Sequence, residues 1–164
     1  MSKFSITGTT LQHVSRMRGQ LREEDARECW ASAHLLPDAA LMVSFTRSDK
    51  CWTALLGGKP VACFGVAPVS WLGRKGVPWM LGTDDFKKLG VKAARVSRKY
   101  VRQMLEGFDV LENWVDVRNL VSIKWLKWCG FTIEAPIPYG PEGLPFHRFW
   151  MEKKGAAVCA HPQS

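Results

Sequence analysis

The stretch that most constrains this chain runs from Asn119 to Phe131, NLVSIKWLKWCGF. An asparagine side chain can accept from the free N–H groups of a first helical turn. A glycine tolerates the left-handed conformation that ends a helix, and the phenylalanine after it opens the next buried run. The apolar run Val110 to Val117 precedes the asparagine, and Phe131 to Ile133 follows the glycine. The segment reads strand, capped helix to about Cys129, strand. Such alternation builds a sheet with helices packed on it.

The same grammar extends upstream. Phe4 to Thr7 is a short strand, and Thr9-Thr10 caps a helix from Leu11 to about Gly19. Arg22 to Ala33 is a second helix, with Glu23, Glu24 and Asp25 in its first turn where acids suit the helix dipole. Pro37-Asp38 opens a third helical stretch, apolar from Ala39 to Phe45. Cys51 to Leu56 and Val61 to Val66 are strands joined by Gly57-Gly58-Lys59, a hairpin signal. A loop from Pro68 to Gly76 leads to a strand at Val77 to Leu81, ending at Gly82-Thr83-Asp84-Asp85. The longest helix covers Val91 to Leu105, with Ala93, Val96, Tyr100 and Met104 toward the core and Lys92, Arg95, Arg98, Lys99 and Arg102 largely elsewhere. Ala135 to Pro145 reads as a loop and Phe146 to Met151 as the last strand. A single domain over residues 1–154 is expected, with a tail at 155–164.

With 46% hydrophobic and 23% charged residues, the composition is that of a globular chain. No apolar run approaches the ~20 residues of a membrane span, and the residues after Met1 lack the apolar core of a secretory signal, so a cytoplasmic start is expected. Five cysteines form no CxxC pair and four histidines lack ligand spacing, so no metal is expected. A net charge of +8 admits phosphorylated or acidic partners without naming one. Eight tryptophans point to a bulky core plus some interface.

The spacing from Asn119 to Gly130-Phe131 resembles, residue for residue, the motif of GNAT (GCN5-related N-acetyltransferase) proteins in which an asparagine opens a helix and Gly-Phe ends it. Further stretches narrow the likeness: Trp79-Met80-Leu81-Gly82-Thr83-Asp84, Leu111-Glu112-Asn113-Trp114-Val115-Asp116, and Tyr139-Gly140-Pro141 with Leu144-Pro145-Phe146-His147-Arg148-Phe149. Together they resemble a branch of GNAT-related proteins carried by tailed bacteriophages and prophages, over about Phe4 to Met151. Relatives in that branch include internal virion proteins of short-tailed phages. The resemblance implies an α+β fold, a mixed, mostly antiparallel sheet flanked by helices on both faces. It also implies a place in the virion or the host bacterial cytoplasm, with other phage virion proteins as partners.

GNAT enzymes cradle the pyrophosphate of acetyl-CoA on backbone N–H groups at a helix N-terminus, in a Gln/Arg-x-x-Gly-x-Gly/Ala loop whose small residues let the backbone close on the phosphates. The matching stretch is Lys87-Lys88-Leu89-Gly90-Val91-Lys92. Lys87 replaces the basic first residue, Gly90 keeps the first glycine, and Lys92 stands where a second small residue belongs. Lys87, Gly90, Lys92 and Asn119 are therefore the residues implied for the cofactor, acetyl-CoA. The tyrosine that commonly returns a proton to the departing thiolate falls at Leu126, which has no proton to give. Tyr139 is the substitute from another direction. For the base that takes the amine's proton, Asp84, Asp85, Glu112 and Asp116 are candidates, and His147 is a further base or substrate contact. Asp84 and Asp85 have the best location, a strand end before the cofactor loop, although that is equally a turn or cap position.

Two functions stay open. One is an internal, genome-delivery component of a phage particle with a degenerate acetyltransferase site. The alternative is an active acetyl-CoA-dependent N-acetyltransferase modifying a host or viral amine. A nucleic-acid module using Lys87, Lys88, Lys92, Arg95, Arg98, Lys99 and Arg102 on DNA ranks behind both.

Overall fold

The computed structural model describes residues 2–70 and 72–155, so the expected tail falls outside the described residues from 156 onward. Strand β1 (Phe4–Gly8) is followed by three helices, α1 (Leu11–Met17), α2 (Glu23–Ala33) and α3 (Pro37–Arg47). Three strands come next, β2 (Lys50–Leu56), β3 (Lys59–Ser70) and β4 (Lys75–Gly82). A 3-10 turn over Asp84–Leu89 leads into α4 (Gly90–Gly107), then β5 (Val110–Asp116) and α5 (Leu120–Cys129). The short strands β6 (Thr132–Ile133) and β7 (Ile137–Tyr139) precede the closing strand β8 (Leu144–Glu152).

The eight strands form one sheet in the order β1-β2-β3-β4-β5-β8-β6, with β7 also paired to β8. Every pairing is antiparallel except that of β4 with β5. That junction is the distinctive feature of the sheet. The parallel register joins only Lys75 with Val110 and Gly76 with Leu111. Beyond those residues the strands part, and Asn113 Nδ2 donates across the gap to Pro78 O at 2.8 Å.

Helices cover both faces. On one face Val101 and Met104 of α4 and Leu126 and Cys129 of α5 pack with Val66, Leu111, Val115 and Phe149. On the other, Val14 and Met17 of α1 and Ala40 and Leu41 of α3 pack on Cys63 and Leu81, with Cys29 of α2 beside them. Fully burying one such aliphatic or aromatic side chain contributes about 1.5–3 kcal/mol. Strand alternation therefore assigns sides: Cys63 and Leu81 look toward α1–α3, whereas Val66, Leu111 and Val115 look toward α4 and α5.

Local chemistry sets the helix ends much as the sequence suggests. Thr10 and His13 exchange bonds in a capping box at α1, and Asn119 Oδ1 accepts from Ser122 N at 3.3 Å to cap α5. Several boundaries differ from expectation. Pro68 to Ser70 continue β3 and Lys75-Gly76 begin β4, where a loop is expected; Pro68 sits where the register shifts, so its missing N–H is tolerated. α1 stops at Met17, not Gly19, and strand β7 lies inside the expected loop before β8. On α4 the buried positions are Ser97, Val101 and Met104. Ser97 can face inward because its hydroxyl donates to Ala93 O at 2.7 Å and accepts from Trp125 Nε1 at 2.9 Å.

Candidate functional site

Parting two parallel strands leaves backbone edges and side chains facing a gap, and here the gap is a cleft of about 270 Å³. Its walls come from the free tips of β4 and β5, from α2, and from the inward faces of α4 and α5. Helix α2 lies across the mouth and is fastened to both tips. On the β4 side, Asp25 Oδ2 accepts from Gly82 N at 2.8 Å, and Arg22 N donates to Gly82 O at 2.9 Å. Arg22 and Asp25, both buried, also form a two-pronged pair at 2.6 and 3.0 Å, so neither charge is left alone. On the β5 side, Glu28 Oε2 accepts from Asn119 Nδ2 at 2.8 Å.

Asn119 thus does two jobs, capping α5 with its oxygen and holding a carboxylate with its nitrogen. Asp25, Glu28, Cys29 and Ser32 stand one helical turn or less apart and all line the cleft. Burial pushes the Glu28 carboxyl up to about 7, and the nearby negative charges of Asp25 and Asp116 push the same way against the Asn119 bond. Burial likewise lifts the Cys29 thiol to about 12, which keeps it a neutral thiol. Asp116 behaves differently: burial opposes ionisation, but the Arg118 guanidinium, at 2.5 Å, holds its carboxyl below the ordinary range. Glu28 is therefore the carboxyl in the cleft whose proton is exchangeable near neutral pH.

The residues singled out by the sequence fall in different places. Asp84 and Asp85 lie outside the cleft, in the 3-10 turn. Asp85 is bound by Lys59 and Lys88, each at 2.8 Å, which hold its carboxyl at about 2, while Asp84 sits 3.8 Å from Lys87. A carboxylate held as that of Asp85 is a poor proton acceptor, and Asp84 is an exposed residue in the first turn of the 3-10 segment. Glu112 is occupied by Lys75 at 3.0 Å and by Arg148. His147 meets Glu134 O on the far edge at 2.7 Å. Tyr139 does line the cleft, stacked on Trp114 with ring centroids 4.3 Å apart. Leu126 is buried, and Ser122, one turn earlier on the same face of α5, puts a hydroxyl on the cleft wall.

At the start of α4, Gly90 adopts φ 46°, and nothing lies within 4 Å of where a Cβ would stand. The helix has no side-chain cap and no acid in its first turn. The positive end of the dipole of this 18-residue helix is therefore met by no side-chain cap, and the space beside Gly90 is open. Lys92, Arg95, Lys99 and Arg102 are exposed on the same helix, and Lys88, ahead of it, is exposed but paired with Asp85. These features fit the phosphates of CoA. Lys87 is engaged by Glu24 at 3.4 Å, and Asn119 serves α5 and Glu28 rather than the α4 terminus. Among the described residues no group of His, Cys, Asp and Glu could hold a metal.

No family model and no curated protein matches the sequence, whereas solved structures match almost its whole length. One is an aminoglycoside acetyltransferase, AAC(6')-Ib, in complex with coenzyme A, at 13% identity and TM-score 0.65, covering 93% of this chain and 96% of that one. Another is spermidine N-acetyltransferase from Vibrio cholerae with CoA and spermine, at 9% identity and TM-score 0.66, covering 91% and 95%. A third is Ard1 from Thermoplasma volcanium, at 17% identity and TM-score 0.64, covering 91% and 97%. At such identities the likeness speaks for architecture, and the eight-stranded sheet parted between β4 and β5 supplies the rest. The chain has the fold of the GNAT acetyltransferases.

Proposed function

We propose that this protein is an acetyl-CoA-dependent N-acetyltransferase whose base is Glu28. The observation that carries the reading is the Glu28 carboxyl on the wall of the cleft between the parted strands, fixed by the Asn119 amide at 2.8 Å, where burial raises its pKa. When bound, acetyl-CoA supplies an acetyl thioester: the amine nitrogen forms the new C–N bond, the C–S bond breaks, and CoA leaves as its thiol. The chain's own residues supply the rest. Gly90 and the α4 terminus hold the phosphates. Ionised Glu28 takes the proton that the amine must lose, and Asn119 fixes the carboxylate's direction. Tyr139 or Ser122 returns a proton at the sulfur side, since Leu126 has none to give.

General-base help of this kind contributes about 100- to 10,000-fold in rate, so the site can be productive without the usual tyrosine. Lys92 in place of a small residue does not remove the cradle, because Gly90 and the backbone N–H groups remain. The virion role implied by the sequence resemblance makes no demand on the cleft and takes no support from it; the CoA-holding neighbours favour the enzyme. The test is incubation with acetyl-CoA and a panel of primary amines, followed by mass spectrometry for the amide. Amide and free CoA appearing in equal amounts, and lost with Glu28→Gln, is the expected result. Absence of amide across the panel despite cofactor binding counts against it.

A further inference from the structure

Resting on that reading, we infer that the acceptor is a monoamine with an aromatic body, received between Trp79 and Trp114 with its ammonium toward Glu28. Trp79 of β4 and Trp114 of β5, each three residues beyond the last paired position of its strand, both line the cleft. Both look to the α2 face. Trp79 donates its Nε1–H to Ser48 Oγ, at the end of α3, at 2.7 Å, and Trp114 stacks on Tyr139 of β7 at 4.3 Å and 14°. Each ring is thus fixed by a partner of its own. Tyr139 is fixed in turn because the next residue, Gly140, at φ 76°, lies against the backbone of α2, where a Cβ would overlap the Ala31 carbonyl oxygen. The cleft is therefore lined from both strands by indole rings that are each held in place, which suits a ligand with a flat ring.

Charge decides how many ammonium groups that slot can hold. Asp25 is neutralised by Arg22 at 2.6 Å, and Asp116 by Arg118 at 2.5 Å. Of the two acids that line the cleft, Asp25 is paired with an arginine, whereas the side chain bonded to Glu28 is the uncharged Asn119 amide. A second or third ammonium would meet arginine-paired carboxylates, inside a protein that already carries +8. A polycation such as spermine, held by one of the fold neighbours, is the wrong charge pattern here, whereas one ammonium on an aromatic body matches one free carboxylate between rings.

Calorimetric titration of the wild-type protein at pH 8, with saturating CoA and no acetyl donor, separates this inference from the catalytic one because it reads affinity without turnover. The probes are 2-phenylethylamine, hexylamine and spermidine. The expected order places 2-phenylethylamine at least about tenfold tighter than either of the others, the scale of a stacking contact. Trp114→Leu should remove that advantage over hexylamine while CoA still binds. Spermidine binding as tightly as the aryl amine, no amine binding to the CoA complex, or a Trp114→Leu protein that keeps the preference would overturn the inference. Failure of CoA itself to bind would instead sink the acetyltransferase reading, and an aryl-amine preference would still be readable on the free protein.

Discussion

At the scale of residues, Glu28 carries most of the account. Replacing it with glutamine keeps the shape and the Asn119 contact but removes the proton acceptor. We expect kcat to fall about 100- to 1,000-fold with cofactor affinity unchanged, measured by steady-state kinetics. In the intact protein the rate should rise with pH through about 7 as the carboxylate forms. The same group also makes a stability forecast. Its folded pKa lies above the ordinary 4.5, so the native state holds the proton more tightly than the unfolded chain does. That stabilisation is complete below 4.5 and is lost as pH rises through about 7. Glu28→Gln should therefore be more stable than wild type at pH 8, by about 1–3 kcal/mol, and close to it at pH 4, as read by urea unfolding. Glu28 was hidden in the sequence because its partner Asn119 is far along the chain, although Asp25, Glu28, Cys29 and Ser32 do share a helix face at readable spacing. Asp84 and Asp85 drew attention by position alone. The lysines that occupy Asp85 include Lys59, a contact that only folding creates.

At the scale of elements, α5 links stability to chemistry. Asn119→Ala removes a cap and leaves Glu28 without its amide donor. The expected loss is about 1 kcal/mol from the cap, seen as a lower unfolding midpoint. Since the amide lowers the Glu28 pKa, the kinetic pH profile should also move upward. A midpoint shift with no change in the pH profile would mean the amide does not govern the carboxyl. The Asn119–Gly130 helix and the Gly57-Gly58 turn are local signals and were legible. The β3–β4 extension and β7 were not, because proline and glycine read as breakers until a neighbouring strand accepts them. The Asp84–Leu89 turn was masked by resemblance to a plain cofactor loop.

At the scale of the whole molecule, the decisive feature is that β4 and β5 pair at two positions and then separate. Pro78, two residues past the last paired position, has no N–H to offer a ladder; α2 bridges the tips, and the Asn113 side chain reaches the Pro78 carbonyl. Several of the tryptophans find their use here, Trp79 and Trp114 flanking the opening and Trp125 lining the wall below it. The charge is spread to match, with exposed cations along α4 and arginine-paired acids at the mouth. The most direct test of the account is isothermal titration with acetyl-CoA, comparing wild type with Gly90→Trp. Micromolar one-to-one binding, lost in a variant whose circular dichroism shows it still folded even though the side chain at φ 46° lowers its unfolding midpoint, is the expected result; no heat at millimolar acetyl-CoA would contradict the claim that the parted strands and the α4 terminus form a cofactor site.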